Sequence, residues 1–151
     1  AASDVYKRQH VSTTRERFEV LMRCKELGIP TLVWMTPILP FINDTRENIE
    51  GLLDYCLLAG VQGILVFDVG VTLREGDREY FYQALDRDFP GIRQKYISTY
   101  GNAYDIPSPY AKELMALIQN TCVANGMLCS PKECFTYLHE FPERYVQQTL
   151  F

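Results

Sequence analysis

"CKELGIPTLVW" (residues 24–34) and "CLLAGVQGILVF" (residues 56–67) repeat one pattern and decide the fold. In each, the end of an apolar helical pattern is followed by a glycine turn and a short apolar run. The copies stand 32 residues apart, counted from Cys24 to Cys56. Helix and strand alternating at this spacing are typical of right-handed crossovers in a parallel sheet. The repeat predicts an α/β fold, either an open doubly wound sheet or a barrel segment.

Helix boundaries are marked on both copies. Thr13 with Glu16 forms a capping box at the first helix, and Gly28 supplies its left-handed end. The run TLVWM then predicts a buried strand. For the second helix we expect Asp44 as the cap and Gly60 as the end, followed by a buried strand in GILVF.

The sequence after Arg74 predicts helices that close over the sheet. Ser108 with Pro109, and Ser130 with Pro131, are typical helix starts. We assign residues 10–74 to the barrel-like portion and residues 75–151 to a helical extension of the same domain. The tyrosines of this region form either an aromatic wall for a planar substrate or part of the core. They are Tyr80, Tyr82, Tyr96, Tyr100 and Tyr104.

Residues 1–9, AASDVYKRQ, show no apolar pattern and resemble a translated sequencing adapter over all nine codons. We expect this segment to be non-native and the natural chain to extend upstream of His10. Without its net charge of +1, the formal charge of −4 becomes −5. Such a negative charge gives no support for binding to the phosphate backbone of a nucleic acid. No apolar run spans a bilayer. The cysteines are odd in number, five, and we expect Cys24 and Cys56 to be buried free thiols in a reducing cytoplasm.

Candidate chemistry lies beyond the carboxyl ends of the two predicted strands, where ligands bind in parallel α/β folds. These ends carry Thr36 on the first strand, and Asp68 and Gly70 on the second. A carboxylate at this position is costly to bury unless a ligand, a cation or Arg74 pairs with it. The alternative is an ordinary ion pair or cap. Cys129 and Cys134 lack metal-site spacing, so we predict no metal ligands.

STTRERFEVLMRCKELGIPTLVWMTPILPFINDTRENIEGLLDYCLLAGVQGI resembles the second half of a radical S-adenosylmethionine enzyme, in the branch related to spore photoproduct lyase. TLREGDREYFYQALDRDFPGIRQKYISTYGNAY and YLHEFPE are similar to that branch as well. The resemblance implies a partial (β/α)6 barrel with TLVWM as its fifth strand and GILVF as its sixth. It also implies that Thr36, Asp68 and Gly70 face the cofactor.

Catalysis in that family depends on a CxxxCxxC loop, whose thiolates hold a [4Fe–4S] cluster that binds S-adenosylmethionine. Reduction by a low-potential electron donor yields a 5′-deoxyadenosyl radical. No three cysteines of this chain have that spacing, so we expect the fragment alone to be inactive. The branch suggests DNA lesion repair, while the substrate itself stays open. Two alternatives are a metal-free barrel enzyme using Asp68 and Arg74, and a non-catalytic interaction module.

The last five residues, QQTLF, resemble the peptide that binds the bacterial sliding clamp. An extended tail would place Leu150 and Phe151 in an apolar pocket, with Gln147 supplying hydrogen bonds. The favoured alternative is a frayed terminus, or packing of Leu150 and Phe151 on their own domain.

Overall fold

The computed structural model describes residues 12–140 and shows a mixed α/β chain with six helices and four short strands in that range. The helices are α1 (Thr14–Glu26), α2 (Arg46–Ala59), α3 (Asp77–Asp88), α4 (Ile92–Tyr100), α5 (Ala111–Ala124) and α6 (Pro131–His139). The strands are β1 (Leu32–Trp34), β2 (Gly63–Leu65), β3 (Gly70–Thr72) and β4 (Asp105–Pro107).

The start of α1 confirms the predicted capping box. The Thr13 amide donates to Glu16 Oε2 at 2.6 Å, and the Glu16 amide donates to Thr13 Oγ1 at 3.3 Å. Gly28 follows the helix with φ of 66°, as its left-handed turn requires. Lys25 Nζ donates to the Leu58 carbonyl at 2.6 Å and so ties α1 to the end of α2.

The prediction that Asp44 caps α2 is wrong. Thr45 is the cap, and its hydroxyl accepts from the Asn48 amide at 3.2 Å. Asp44 is 2% exposed, and its Oδ2 accepts from the Ser108 hydroxyl at 2.5 Å. Asp44 and Thr45 are both residue types that can cap a helix. Here the Asp44 carboxylate accepts the buried hydrogen bond from Ser108, and Thr45 caps α2. Gly60 ends α2 in the left-handed conformation, as expected.

The predicted parallel pairing is confirmed, with Leu32 opposite Gly63 and Trp34 opposite Leu65. Beyond its pairing with β1, Gly63 of β2 forms a parallel bridge with Leu128, whereas within residues 12–140 no strand pairs with the other edge of β1. β2 is buried throughout. β1 is not, because Trp34 is 58% exposed. The expectation of a strand covered on both faces is therefore wrong for β1.

The region after Arg74 is not purely helical. β4 pairs antiparallel with β3, with Gly70 opposite Pro107 and Thr72 opposite Asp105. The expected helix start at Ser108 and Pro109 is also wrong, because α5 begins at Ala111 after Tyr110. The sequence did not predict β4, because a strand of three residues is too short to show an alternating apolar pattern.

The last described helix begins as predicted. Ser130 caps α6 in a capping box with Glu133, and Pro131 stands in its first turn. No helix among the described residues is long and apolar enough to cross a membrane.

Two core clusters divide the buried side chains. The parallel-sheet cluster joins the first sheet to α2 and α5 and includes Ile49, Leu53, Ile64, Val66, Leu114 and Ile118. The aromatic cluster joins the second sheet to α3 and α4 and includes Leu39, Val71, Phe81, Tyr82, Leu85 and Tyr96. The tyrosines are divided between roles: Tyr82 and Tyr96 are core, while Tyr104 is 49% exposed.

Candidate functional site

The candidate site is an open cleft of about 230 Å³ where the chain leaves the carboxyl ends of β1 and β2. Thr36, Asp68 and Gly70, the three residues that the sequence indicated, all line it. They come from two stretches of chain that meet because β1 and β2 are neighbours and parallel. The rule that strand ends share one edge of a parallel sheet thus predicted the convergence. Arg74 is not among the lining residues.

Asp68 lies in the irregular segment between β2 and β3 and is not the buried carboxylate that the sequence allowed. It is exposed, and its Oδ1 accepts from the Val69 amide at 2.7 Å. This local hydrogen bond fixes the carboxylate at the rim of the cleft. An exposed, oriented carboxylate can accept hydrogen bonds from hydroxyl or ammonium groups of a ligand.

Gly70 is required by close approach of the backbone. A Cβ at Gly70 would lie 2.5 Å from the Ile106 carbonyl oxygen and 2.9 Å from Pro107 Cα. The absent side chain lets β4 pair tightly with β3. Gly70 therefore shapes the wall of the cleft rather than contributing a functional group.

The far wall is held by two hydrogen bonds. Tyr100 donates to the Pro107 carbonyl at 2.6 Å. Burial, and then the charge of Asp44, raises the pKa of Tyr100, so its hydroxyl stays protonated and remains a donor. The Ser108 amide donates to the Val69 carbonyl at 2.8 Å. β4 is thus fixed against the segment that carries Asp68.

Sequence reasoning missed the second wall of the cleft. Thr72 and Asp105, which pair across β3 and β4, line it together with Ile106 and Pro107. The cleft therefore carries a second carboxylate and a second hydroxyl. The only signal was DIP at residues 105–107, with proline at a strand end.

An aromatic face adjoins the cleft and consists of Trp34, Phe67 and Phe135. The Trp34 and Phe67 rings lie 5.8 Å apart, and those of Phe67 and Phe135 lie 6.4 Å apart. Phe67 also lines the cleft. Trp34 and Phe67 are each 58% exposed and Phe135 is 40% exposed. Exposed aromatic groups in contact are typical of a surface that another chain segment or a planar ligand covers.

Arg74 contacts another part of the second sheet. Its Nε donates to the Tyr104 hydroxyl at 3.4 Å, while the Leu73 amide donates to the Tyr104 carbonyl at 2.9 Å. The exposed His139 ring, whose Nδ1 lies 2.6 Å from the Phe135 carbonyl oxygen, is a surface residue of α6.

Across residues 12–140, no three His, Cys, Asp or Glu side chains are placed to hold a metal ion. All five cysteines are free thiols. Residues 1–9, which resemble an adapter, lie outside the described residues. So do Gln147, Leu150 and Phe151, on which the predicted clamp contact depends.

Comparisons with known proteins give uncharacterized relatives. An uncharacterized protein of Mycobacterium tuberculosis and one of Mycobacterium bovis are each 28% identical over 102 residues. The match covers 68% of this chain and 29% of each relative. The chain therefore corresponds to less than a third of the length of these relatives. No protein-family model and no solved structure matches it.

Proposed function

We propose that this chain is the carboxyl-terminal part of a radical S-adenosylmethionine enzyme and contributes one side of its cofactor cleft. The observation that carries the proposal is the convergence of Thr36, Asp68 and Gly70 on one cleft. The resemblance to the family selects these positions, and the strand ends bring them together. The enzyme as a whole, its electron donor and a DNA lesion as substrate belong to the same proposal.

The exposed side of the first sheet supports a place in a partial (β/α)6 barrel, with β1 as strand five and β2 as strand six. A barrel strand has one face toward the helices and one toward the interior. Ile64 and Val66 belong to the core formed with α2 and α5. Trp34 and Phe67 are exposed. Among residues 12–140 no strand pairs with the outer edge of β1, and a fourth strand would add there.

The lining residues suit the polar parts of S-adenosylmethionine. Asp68 and Asp105 can accept hydrogen bonds from ribose hydroxyl or ammonium groups, and Thr36 can donate or accept. The Phe67 ring offers an apolar surface for the adenine. When bound and reduced, this cofactor supplies hydrogen-abstracting radical chemistry; the chain's residues hold and orient it.

The described residues do not fit an iron–sulfur cluster, because they place no three ligands together. We therefore assign no cluster ligand and no reaction step to this chain. The proposal predicts that the complete gene encodes CxxxCxxC upstream of His10. The full protein, reconstituted anaerobically with iron and sulfide, should be brown and should cleave S-adenosylmethionine. A gene without the three cysteines would contradict the proposal.

Cofactor binding to the cleft can be measured separately through Trp34. It is the only tryptophan of the chain, and its ring lies 5.8 Å from that of Phe67 in the cleft wall. Titration with S-adenosylmethionine should give a saturable change in tryptophan emission. Asp68→Asn should weaken binding about 10- to 150-fold, since hydrogen bonds to charged groups contribute about 1.5–3 kcal/mol. The matched control is Asp54→Asn on the exposed side of α2, which should bind like the original chain. An equal loss of affinity in both variants would show that the cofactor does not bind in this cleft.

The aromatic face supports a second candidate, a non-catalytic interaction module. Exposed rings of Trp34, Phe67 and Phe135 provide anchors of the kind that protein partners use. This candidate predicts a natural chain that begins only a few residues before His10. The metal-free enzyme using Asp68 and Arg74 is less well supported, because Arg74 does not line the cleft that carries Asp68.

A further inference from the structure

Asp44 and Ser108 form a buried polar pair. Among residues 12–140 they are the buried polar side chains other than tyrosine and cysteine. The Ser108 hydroxyl donates to Asp44 Oδ2 at 2.5 Å, so each group satisfies the other. Removing two polar groups from water costs free energy that apolar side chains would not cost. Neither residue lines the candidate cleft, and the function proposed above gives neither of them a role.

Ser108 joins the three segments of chain that form the cleft. Its hydroxyl reaches Asp44, which lies in the loop between β1 and α2 that also carries Thr36. Its amide donates to the Val69 carbonyl at 2.8 Å, in the segment that carries Asp68. Its own position in the chain is one residue after β4, the strand of the second wall. A single residue is therefore bonded to each of the segments that meet at the cleft.

The hydrogen bonds of Ser108 fix its orientation. The Tyr110 amide donates to Ser108 Oγ at 3.0 Å, and the one proton of the hydroxyl is used by Asp44. The Val69 amide in turn donates to Asp68 Oδ1 at 2.7 Å. A continuous path of hydrogen bonds and backbone thus leads from Asp44 through Ser108 and Val69 to the Asp68 carboxylate. A displacement of Ser108 would therefore move a group that lines the cleft.

We propose that Ser108 and Asp44 are positioning residues, which hold the Asp68 carboxylate and the second wall of the cleft at a fixed distance from Thr36. They touch no ligand and act through Val69 and β4. Groups that point at a ligand bind it more tightly when the protein holds them in place beforehand. A buried hydrogen bond suits this role because it is stronger away from water. Where the inference concerns S-adenosylmethionine, it rests on the proposed function.

The first test needs no ligand. The chain of 151 residues is compared with its Ser108→Ala variant by nuclear magnetic resonance. The Tyr110 amide loses its acceptor in any case, so the diagnostic amide is that of Val69. Its protection, relative to the intrinsic exchange rate, should fall about five- to tenfold, and its chemical shift should change. A Val69 amide that is unchanged in Ser108→Ala would overturn the proposal.

Thr45→Ala is the matched control. It removes a hydroxyl next to Asp44 in the chain, and with it the cap of α2, but no bond of Ser108. The Val69 chemical shift should therefore stay as in the original chain. Ser108→Thr keeps a hydroxyl and should restore the original Val69 signal. The proposal fails if Thr45→Ala changes that signal as much as Ser108→Ala does, or if Ser108→Thr behaves like Ser108→Ala.

The second test uses S-adenosylmethionine and the emission of Trp34. Ser108→Ala should raise the Kd by about 2- to 30-fold, the range for residues that act on a site without touching its ligand. Thr45→Ala should bind like the original chain. If the original chain gives no saturable change, the proposed function fails, while the Val69 amide still decides the positioning role. If Ser108→Ala binds as tightly as the original chain, the positioning role fails and the proposed function stands.

A double variant covers the case in which Ser108→Ala does not fold. That substitution leaves the Asp44 carboxylate buried without the Ser108 donor, which is costly. Asp44→Ala combined with Ser108→Ala removes both polar groups and avoids this cost. The double variant should show the same change at Val69 and the same loss of affinity. A double variant with the Val69 signal and the affinity of the original chain would contradict the proposal.

Discussion

The two sheets of this chain are covered by packed side chains to different degrees. The second sheet and its helices enclose the aromatic cluster, in which Phe81 is 1% exposed and the Tyr96 hydroxyl donates to the Pro40 carbonyl at 2.6 Å. The first sheet is buried by helices on one face; its other face is buried at Leu65 but exposed at Trp34 and, just beyond β2, at Phe67. A closed core contributes to stability, whereas an uncovered apolar face is available for contacts with something else.

The starts of four helices also differ between the two regions. α1 and α6, beside the first sheet, begin with capping boxes at Thr13 and Ser130. α3 and α4, beside the second sheet, begin at Gly76 and Gly91 without a side-chain cap. α5, which packs on the first sheet, also begins without a side-chain cap, so the difference lies between α1 and α6, which have capping boxes, and α3 and α4, which depend on packing. Three predictions test this difference.

The largest effect is expected from paired aromatic truncations. Phe81→Ala should lower the free energy of unfolding by about 3–5 kcal/mol, because it empties a fully buried position that packs on Tyr96. Phe67→Ala on the exposed face should change it by less than about 0.5 kcal/mol. Urea unfolding followed by circular dichroism measures both. Equal losses would show that the two faces are covered alike.

A glycine pair should give an intermediate effect. Gly70→Ala should destabilise by about 1–3 kcal/mol, because the new Cβ would meet the Ile106 carbonyl oxygen at 2.5 Å. Gly51→Ala, within α2, meets nothing within 4 Å. It should stabilise by about 0.5–1 kcal/mol, the usual gain from alanine in a helix. The opposite signs of the two changes in stability can be read from the urea midpoints. A Gly70→Ala variant as stable as the original chain would contradict the close approach of β4 to β3.

The smallest effect concerns acid. Hydrogen bonds from the Ser130 side chain and then its backbone lower the pKa of Glu133, and Thr13 lowers that of Glu16. Since both values are lowered by folding, their stabilisation is present above the unfolded pKa and is lost as pH falls through the folded pKa. The protection of α6 amides, taken relative to the intrinsic exchange rate at each pH, should fall on acidification more than the protection of α4 amides.

Glu133→Gln provides the control for that measurement. It should make the protection of α6 amides, relative to the intrinsic exchange rate, less dependent on pH, and the protection of α4 should not change. If α4 responds to acid as strongly as α6 in the original chain, the division between capped and packed helices fails.

Local signals predicted the first region well. The pair Thr13 and Glu16 is three residues apart, and the two glycine-ended helices recur at a fixed spacing, so each signal is contained in a short window. The choice between Asp44 and Thr45 as cap could not be made in this way, because it depends on Ser108, which lies 64 residues away. The exposure of Trp34 likewise depends on what covers the sheet.

The residues of the candidate site also differ in whether the sequence could predict them. Thr36, Asp68 and Gly70 could be found because the ends of parallel strands meet at one edge. Asp105 could not, because its strand has three residues and pairs with β3 across two intervening helices. Long-range pairing of short strands leaves little trace in a sequence, and functional groups placed by it are missed together with the strands.

The bridge between Gly63 and Leu128 sets an order of events during synthesis. Leu128 follows Gly63 by 65 residues, so β2 leaves the ribosome well before the residue that pairs with it. At about 5–20 residues per second, that interval lasts roughly 3–13 s. During this time one edge of the most buried strand has no partner of its own. The nascent chain is therefore most exposed to wrong pairing until Leu128 has emerged, and slower translation of residues 64–128 would lengthen that period.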